Sequence, residues 1–109
     1  MKVKIADVIT QYRNDEDMKE LEKFIEENKE EIKRMAKYFM DIPKPPHTLE
    51  CVVAKEEVGY NPYASEFVEW QIVMSYNGNI DVEVREVLWS EDEDGWSMHG
   101  ITIAELEIE

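Results

Sequence analysis

An α+β fold is predicted for this chain, as one domain over residues 1–109 with a helical part at 1–47 and an acidic β-sheet part at 48–109. Three observations predict it. Apolar residues between 18 and 39 recur at steps of three and four, the spacing of a helix face. Beyond Pro43, Pro45 and Pro46 the apolar period changes to two, the spacing of strands. Charge divides at the same point: residues 1–47 hold ten Lys/Arg against eleven Asp/Glu, whereas residues 48–109 hold two against fifteen, nearly all of the net −14. The expected order is ααββββ: a short helix or arm, then one long amphipathic helix packed on a four-stranded, mainly antiparallel sheet.

Residues 3–13 are only loosely periodic and are expected to form the short helix or arm. The next segment is clearer. Asn14 is placed to cap a helix, Asp17 follows three residues later as in a capping box, and Asp15 and Glu16 add negative charge at the positive end of the dipole. Lys33, Arg34 and Lys37 suit the other end. Met18, Leu21, Ile25, Ile32, Met35 and Phe39 form the stripe, broken only by Asn28. About seven turns are expected, ending near Asp41-Ile42 because proline forbids continuation. The spacing also fits heptad positions with Asn28 as a buried register-fixing residue. Fewer than four heptads are present and the sheet needs a cover, so packing on the sheet is preferred.

Four strands follow: Leu49–Lys55, Glu66–Tyr76, Ile80–Trp89 and Gly100–Ile108. Parity selects the turn at Asn77-Gly78-Asn79. A three-residue loop pairs Tyr76 with Ile80, Met74 with Val82 and Ile72 with Val84, with positive φ at Gly78 or Asn79; a two-residue turn would set Met74 against Asp81. Val87 and Trp89 have the parity of Asp81 and Glu83, so a bulge is expected near Glu86. In the last strand Ile101 and Ile103 break parity with Leu106 and Ile108, which calls for a bulge near Ala104 or for cover on both sides.

Composition narrows the function classes. With 43% apolar residues and 10% aromatics the chain has too many core formers to be disordered. At 109 residues it buries about two-thirds of its unfolded surface. The start, Met1 to Asp7, has no apolar signal core, and no apolar run approaches the ~20 residues of a membrane span. A cytoplasmic location is expected, in agreement with the single cysteine, Cys51. Such an acidic chain is repelled by anionic lipid and by nucleic acid, so neither membrane nor direct nucleic-acid binding is expected.

Chemistry finds little footing, and no enzyme, metal or cofactor is expected. His47 and Cys51 lie four residues apart in an extended segment, about 13 Å, too far for a nucleophile and its base. No zinc-ligand spacing occurs. Ser90-Glu91-Asp92-Glu93-Asp94-Gly95 clusters carboxylates consecutively where a calcium loop needs alternate ligands, and the twelfth position is Ile101; it is read as an exposed acidic hairpin loop. No glycine-rich phosphate cradle exists.

What remains is a binding surface. Same-face carboxylates recur every ~6.7 Å along a strand and strands lie ~4.8 Å apart, a density comparable to one DNA strand's charge every ~3.4 Å. Crowded like charge costs stability, so a basic partner is the simplest reason for it. The expected contact residues are Glu69, Asp81, Glu83, Glu105, Glu107 and the loop acids Glu91, Asp92, Glu93 and Asp94, with Tyr60, Tyr63 and Trp96 as apolar anchors. In character the chain is similar to the small acidic proteins by which phages and mobile elements block host CRISPR or restriction nucleases. That similarity implies a nucleic-acid-mimic inhibitor seated on a basic, nucleic-acid-binding groove. The alternative is a structural or regulatory homodimer whose acidity serves solubility.

Overall fold

The computed structural model describes residues 2–5, 15–61 and 66–108. In chain order these form β1 (Lys2–Ile5), α1 (Asp15–Glu27), α2 (Lys29–Met40), β2 (Leu49–Asn61), β3 (Glu66–Tyr76), β4 (Ile80–Asp92) and β5 (Gly95–Glu107). The five strands make one antiparallel sheet in the order β1-β5-β4-β3-β2. The α+β class is as predicted, with five strands and two helices in place of four strands and one long helix.

Both differences have physical reasons. Lys2–Ile5, expected within a helix or arm, is an edge strand that pairs with β5 from Lys2↔Glu107 to Ile5↔Ala104. Its partner lies about a hundred residues away in sequence, so local periodicity carries no trace of it. The rest of that arm, and the Asn14 cap, lie outside the described residues. The helical stretch divides at Asn28, whose φ is −107°. There the Asn28 N–H bonds to the Ile25 carbonyl (3.2 Å), the Asn28 side-chain amide donates to the Phe24 carbonyl (2.8 Å), and the next helix starts as the Ile32 N–H bonds to the Asn28 carbonyl (3.0 Å). The side chain thus takes an acceptor that a continuous α-helix would give to the backbone N–H of residue 28.

The helices cover one face of the sheet. Leu21, Phe24 and Ile25 of α1 and Ile32, Ala36 and Phe39 of α2 share one buried cluster with Trp70, Ile72, Met74 and Tyr76 of β3 and with Val82, Val84, Ala104 and Leu106. Ile32, Ile72, Met74 and Val84 are wholly excluded from solvent. Phe24 meets Trp70 at 6.0 Å and Phe39 stacks on Tyr76 at 5.6 Å. The stripe that resembled a heptad seam is therefore used up inside its own fold. After α2 the Asp41 and Ile42 N–H groups bond back to Tyr38 and Phe39, and the Ile42 carbonyl accepts the Tyr76 hydroxyl at 3.0 Å, which ties the helix exit to the sheet.

The Asn77–Asn79 loop has three residues, with Tyr76↔Ile80, Met74↔Val82 and Ile72↔Val84 paired as expected and Gly78 at φ 107°. The bulge expected near Glu86 is absent from the β3–β4 pair, whose register is unbroken from Tyr76↔Ile80 to Glu66↔Ser90. Glu86 does face the helix side, opposite Trp70, whose indole N–H donates to it at 3.2 Å. A carboxylate at the margin of the helix cover explains the apparent break in pattern without an extra residue. The bulge near Ala104 is present: pairing steps from Val84↔Ala104 to Arg85↔Thr102, leaving Ile103 as the additional residue. Ile103 and Ala104 are both 1% exposed. Two more register shifts, at Val53 and Val58, interrupt β2.

The strands also run further than expected. Ser90, Glu91 and Asp92 complete β4, and only Glu93 and Asp94 form the turn before Gly95, whose φ of 118° suits glycine. Glu56 to Asn61, beyond the expected end of the first strand at Lys55, belong to β2. Among the described residues no helix is long and apolar enough to cross a membrane.

Candidate functional site

Because directly paired residues share a face, the side of the sheet turned away from the helices can be read as transverse rows. The first holds Glu50, Ser75 and Asp81, with Glu107 and Lys2 paired on the far strands. Next comes Val52–Val73–Glu83–Glu105–Lys4, then Lys55–Gln71–Arg85–Thr102. Beyond these are Glu57–Glu69–Val87–Gly100, Phe67–Trp89–Met98 and finally Glu91–Trp96. The open face is ionic at the end near Gly78 and aromatic at the end near Gly95.

Arg85 organises the ionic end. Its Nε donates to Glu83 Oε1 at 2.6 Å, and its terminal nitrogens reach Glu50 at 3.1 and 3.3 Å. To join β4 to β2 the guanidinium passes over β3 at the level of Val73, which is fully buried although it faces away from the helices. Hydrogen bonding to Glu50, then to Glu83, pushes the Arg85 pKa further up. Glu83 also accepts the Thr102 hydroxyl at 2.8 Å. This settles a local conflict, since Glu83 is paired directly with Glu105 and like charges in that position repel. Glu105 and Glu107 have Lys4 and Lys2 as partners in register on β1. Glu57 and Glu69 form a second like-charged pair, in which Glu69 accepts the Gln71 amide at 2.7 Å.

At the aromatic end Phe67 and Trp89 lie nearly parallel, 17° apart at 6.0 Å, and Trp96 meets Phe67 edge-on at 5.6 Å. Trp96 is 54% exposed and Met98 55%. The Trp89 indole nitrogen is buried and has no hydrogen-bond partner among the described residues.

The sequence-selected residues are thus brought together in part. Glu69, Asp81, Glu83, Glu91, Glu105, Glu107 and Trp96 share the open face, and Glu93 and Asp94 occupy the turn beside it. Asp92 ends β4 and Tyr60 pairs with Phe67, but the side chains of both, and all of Tyr63, lie outside the described residues. Glu83 is committed to Arg85 and Thr102, and the basic residues Lys4, Lys55 and Arg85 interrupt the expected acidic face. Glu50, Arg85, Phe67, Trp89 and Met98 were missed. The signal for Trp89 was its shared parity with Asp81 and Glu83, which the expected bulge had explained away.

Cys51 lies half-buried on the helix side of β2, and burial, then the Glu50 carboxylate, raises its thiol pKa, the opposite of what a reactive thiolate needs. Among the described residues no group of three or more His, Cys, Asp or Glu side chains is placed to hold a metal ion. No family model, no curated protein and no solved structure matches the chain.

Proposed function

We propose that this chain is a small, non-enzymatic acidic protein that lays its open face on a basic, nucleic-acid-binding surface of another protein and blocks it, in the manner of anti-CRISPR or anti-restriction proteins. The observation that supports this reading is the convergence of Glu69, Asp81, Glu83, Glu91, Glu105 and Glu107 on the one face that neither helix covers. On such a face the carboxylates steer the encounter and pair with Lys and Arg that would otherwise hold phosphates. Exposed Asp81, Glu105 and Glu107 take this role; Glu83, held by Arg85, keeps the lattice in order. A homodimer through the helix is the weaker reading, because it needs an apolar stripe that α1 and α2 already bury against their own sheet.

The test is capture from a cell lysate on the immobilised protein, followed by challenge with duplex DNA and with salt. Bound proteins are expected to be released by DNA and by raising salt from about 0.1 to 0.5 M. Asp81→Lys, Glu105→Lys and Glu107→Lys combined are expected to abolish capture while the circular dichroism spectrum is unchanged. Retention of the same proteins by that folded variant would sink the proposal.

A further inference from the structure

We infer that the aromatic end of the open face is an arginine anchor, a subsite that takes a guanidinium from the basic partner. This rests on the proposed reading of the face and adds the contact that gives it specificity. Trp96 and Met98 are more than half exposed, on the side of the sheet that the helices leave free. A cluster of three aromatic rings with an exposed indole at its edge is costly to leave in water. Its surroundings are not those of an apolar docking site. Glu91 is directly paired with Trp96, the Glu57–Glu69 row lies immediately behind Phe67, and Glu93 and Asp94 form the adjoining turn.

Apolar rings bordered by carboxylates match one chemistry closely: a planar cation. A cation over an indole face is attracted by the ring quadrupole, and a carboxylate on a paired residue, about 5 Å away at Cβ, is within reach of the same group. Guanidinium suits the site better than ammonium because it stacks flat on a ring, is less strongly hydrated and offers donors at its edge to flanking carboxylates. Anionic membrane is disfavoured by the same acidic border.

The experiment titrates the full chain with nona-arginine and nona-lysine peptides at equal ionic strength, reading binding by tryptophan fluorescence and by calorimetry. Nona-arginine is expected to bind about tenfold tighter than nona-lysine, with a saturable change in emission. Trp96→Ala is expected to bring that ratio to about one, and Trp96→Phe to restore part of it. The Asp81→Lys, Glu105→Lys, Glu107→Lys variant is expected to weaken both peptides and keep the ratio. A ratio near one in the unaltered protein, or one that survives Trp96→Ala, overturns the anchor and leaves the acidic-face reading standing. Binding of both peptides that ignores the charge reversal, with a ratio still lost in Trp96→Ala, overturns that reading and supports the anchor.

Discussion

Asn28 occupies a position where the helical stripe asks for an apolar residue, and the reason for it is hydrogen bonding. Its half-buried amide supplies the donor that the Phe24 carbonyl loses when the helix breaks. Replacing only that donor, by Asn28→Asp, keeps the shape and leaves a carbonyl facing a carboxylate. A loss of about 1–3 kcal/mol in chemical denaturation is expected. Asn28→Leu, which would complete the apolar stripe, is expected to destabilise as well; a gain would show that the break at residue 28 is not needed for packing. From the sequence Asn28 stood out as the odd member of its stripe, but the bond that explains it depends on the local backbone. Arg85 shows the same limit. Its charge was visible among carboxylates, whereas its span across β3 to Glu50 requires a register that no local pattern contains.

Strands make the case differently, because their alternation was legible and their interruptions were only half so. The Tyr76–Ile80 loop followed from parity alone, and so did the irregularity at Ile103 next to Ala104. The bulge expected at Glu86 was wrong because the covered face ends there, and a carboxylate met by the Trp70 indole mimics a change of face. Keeping parity through Glu86 sends Val87 and Trp89 to the open face and creates its aromatic end. Direct pairing also sets Glu57 against Glu69 on β2 and β3, a repulsive cross-strand contact. Glu57→Thr removes one charge and adds a β-branched side chain at a solvent-facing position. A gain of about 0.5 kcal/mol in denaturant unfolding is expected; a loss would mean that Glu57 has a compensating partner.

The whole molecule carries a net charge of −14 with one sheet face uncovered by either described helix, so self-repulsion governs its response to solution conditions. Added salt screens that repulsion, and the melting temperature is expected to rise by several degrees between about 0.02 and 0.5 M NaCl. Protonation has a definite sign at Glu31, which is held below the usual glutamate range by its hydrogen bond to Arg34. Its depressed pKa adds stability above the ordinary glutamate value, and that addition is lost as pH falls through the folded one. Glu31→Gln is therefore expected to flatten the fall of stability below about pH 5, as thermal melts in a series of buffers would show; an unchanged profile would mean that this exposed pair adds nothing measurable. The sequence by itself determined the α+β class, the core-facing residues of the helices and of the central strands from Trp70 to Val84, the three-residue turn and the imbalance of charge. All of these follow from local period and composition, because a helix or strand must hide one side of itself. Tertiary structure alone decided the β1–β5 pairing, the break at Asn28, the Arg85 bridge and the meeting of Phe67, Trp89 and Trp96. Those depend on which distant residues stand opposite one another, and register is set by the summed packing of the sheet and its helices, not by any one segment.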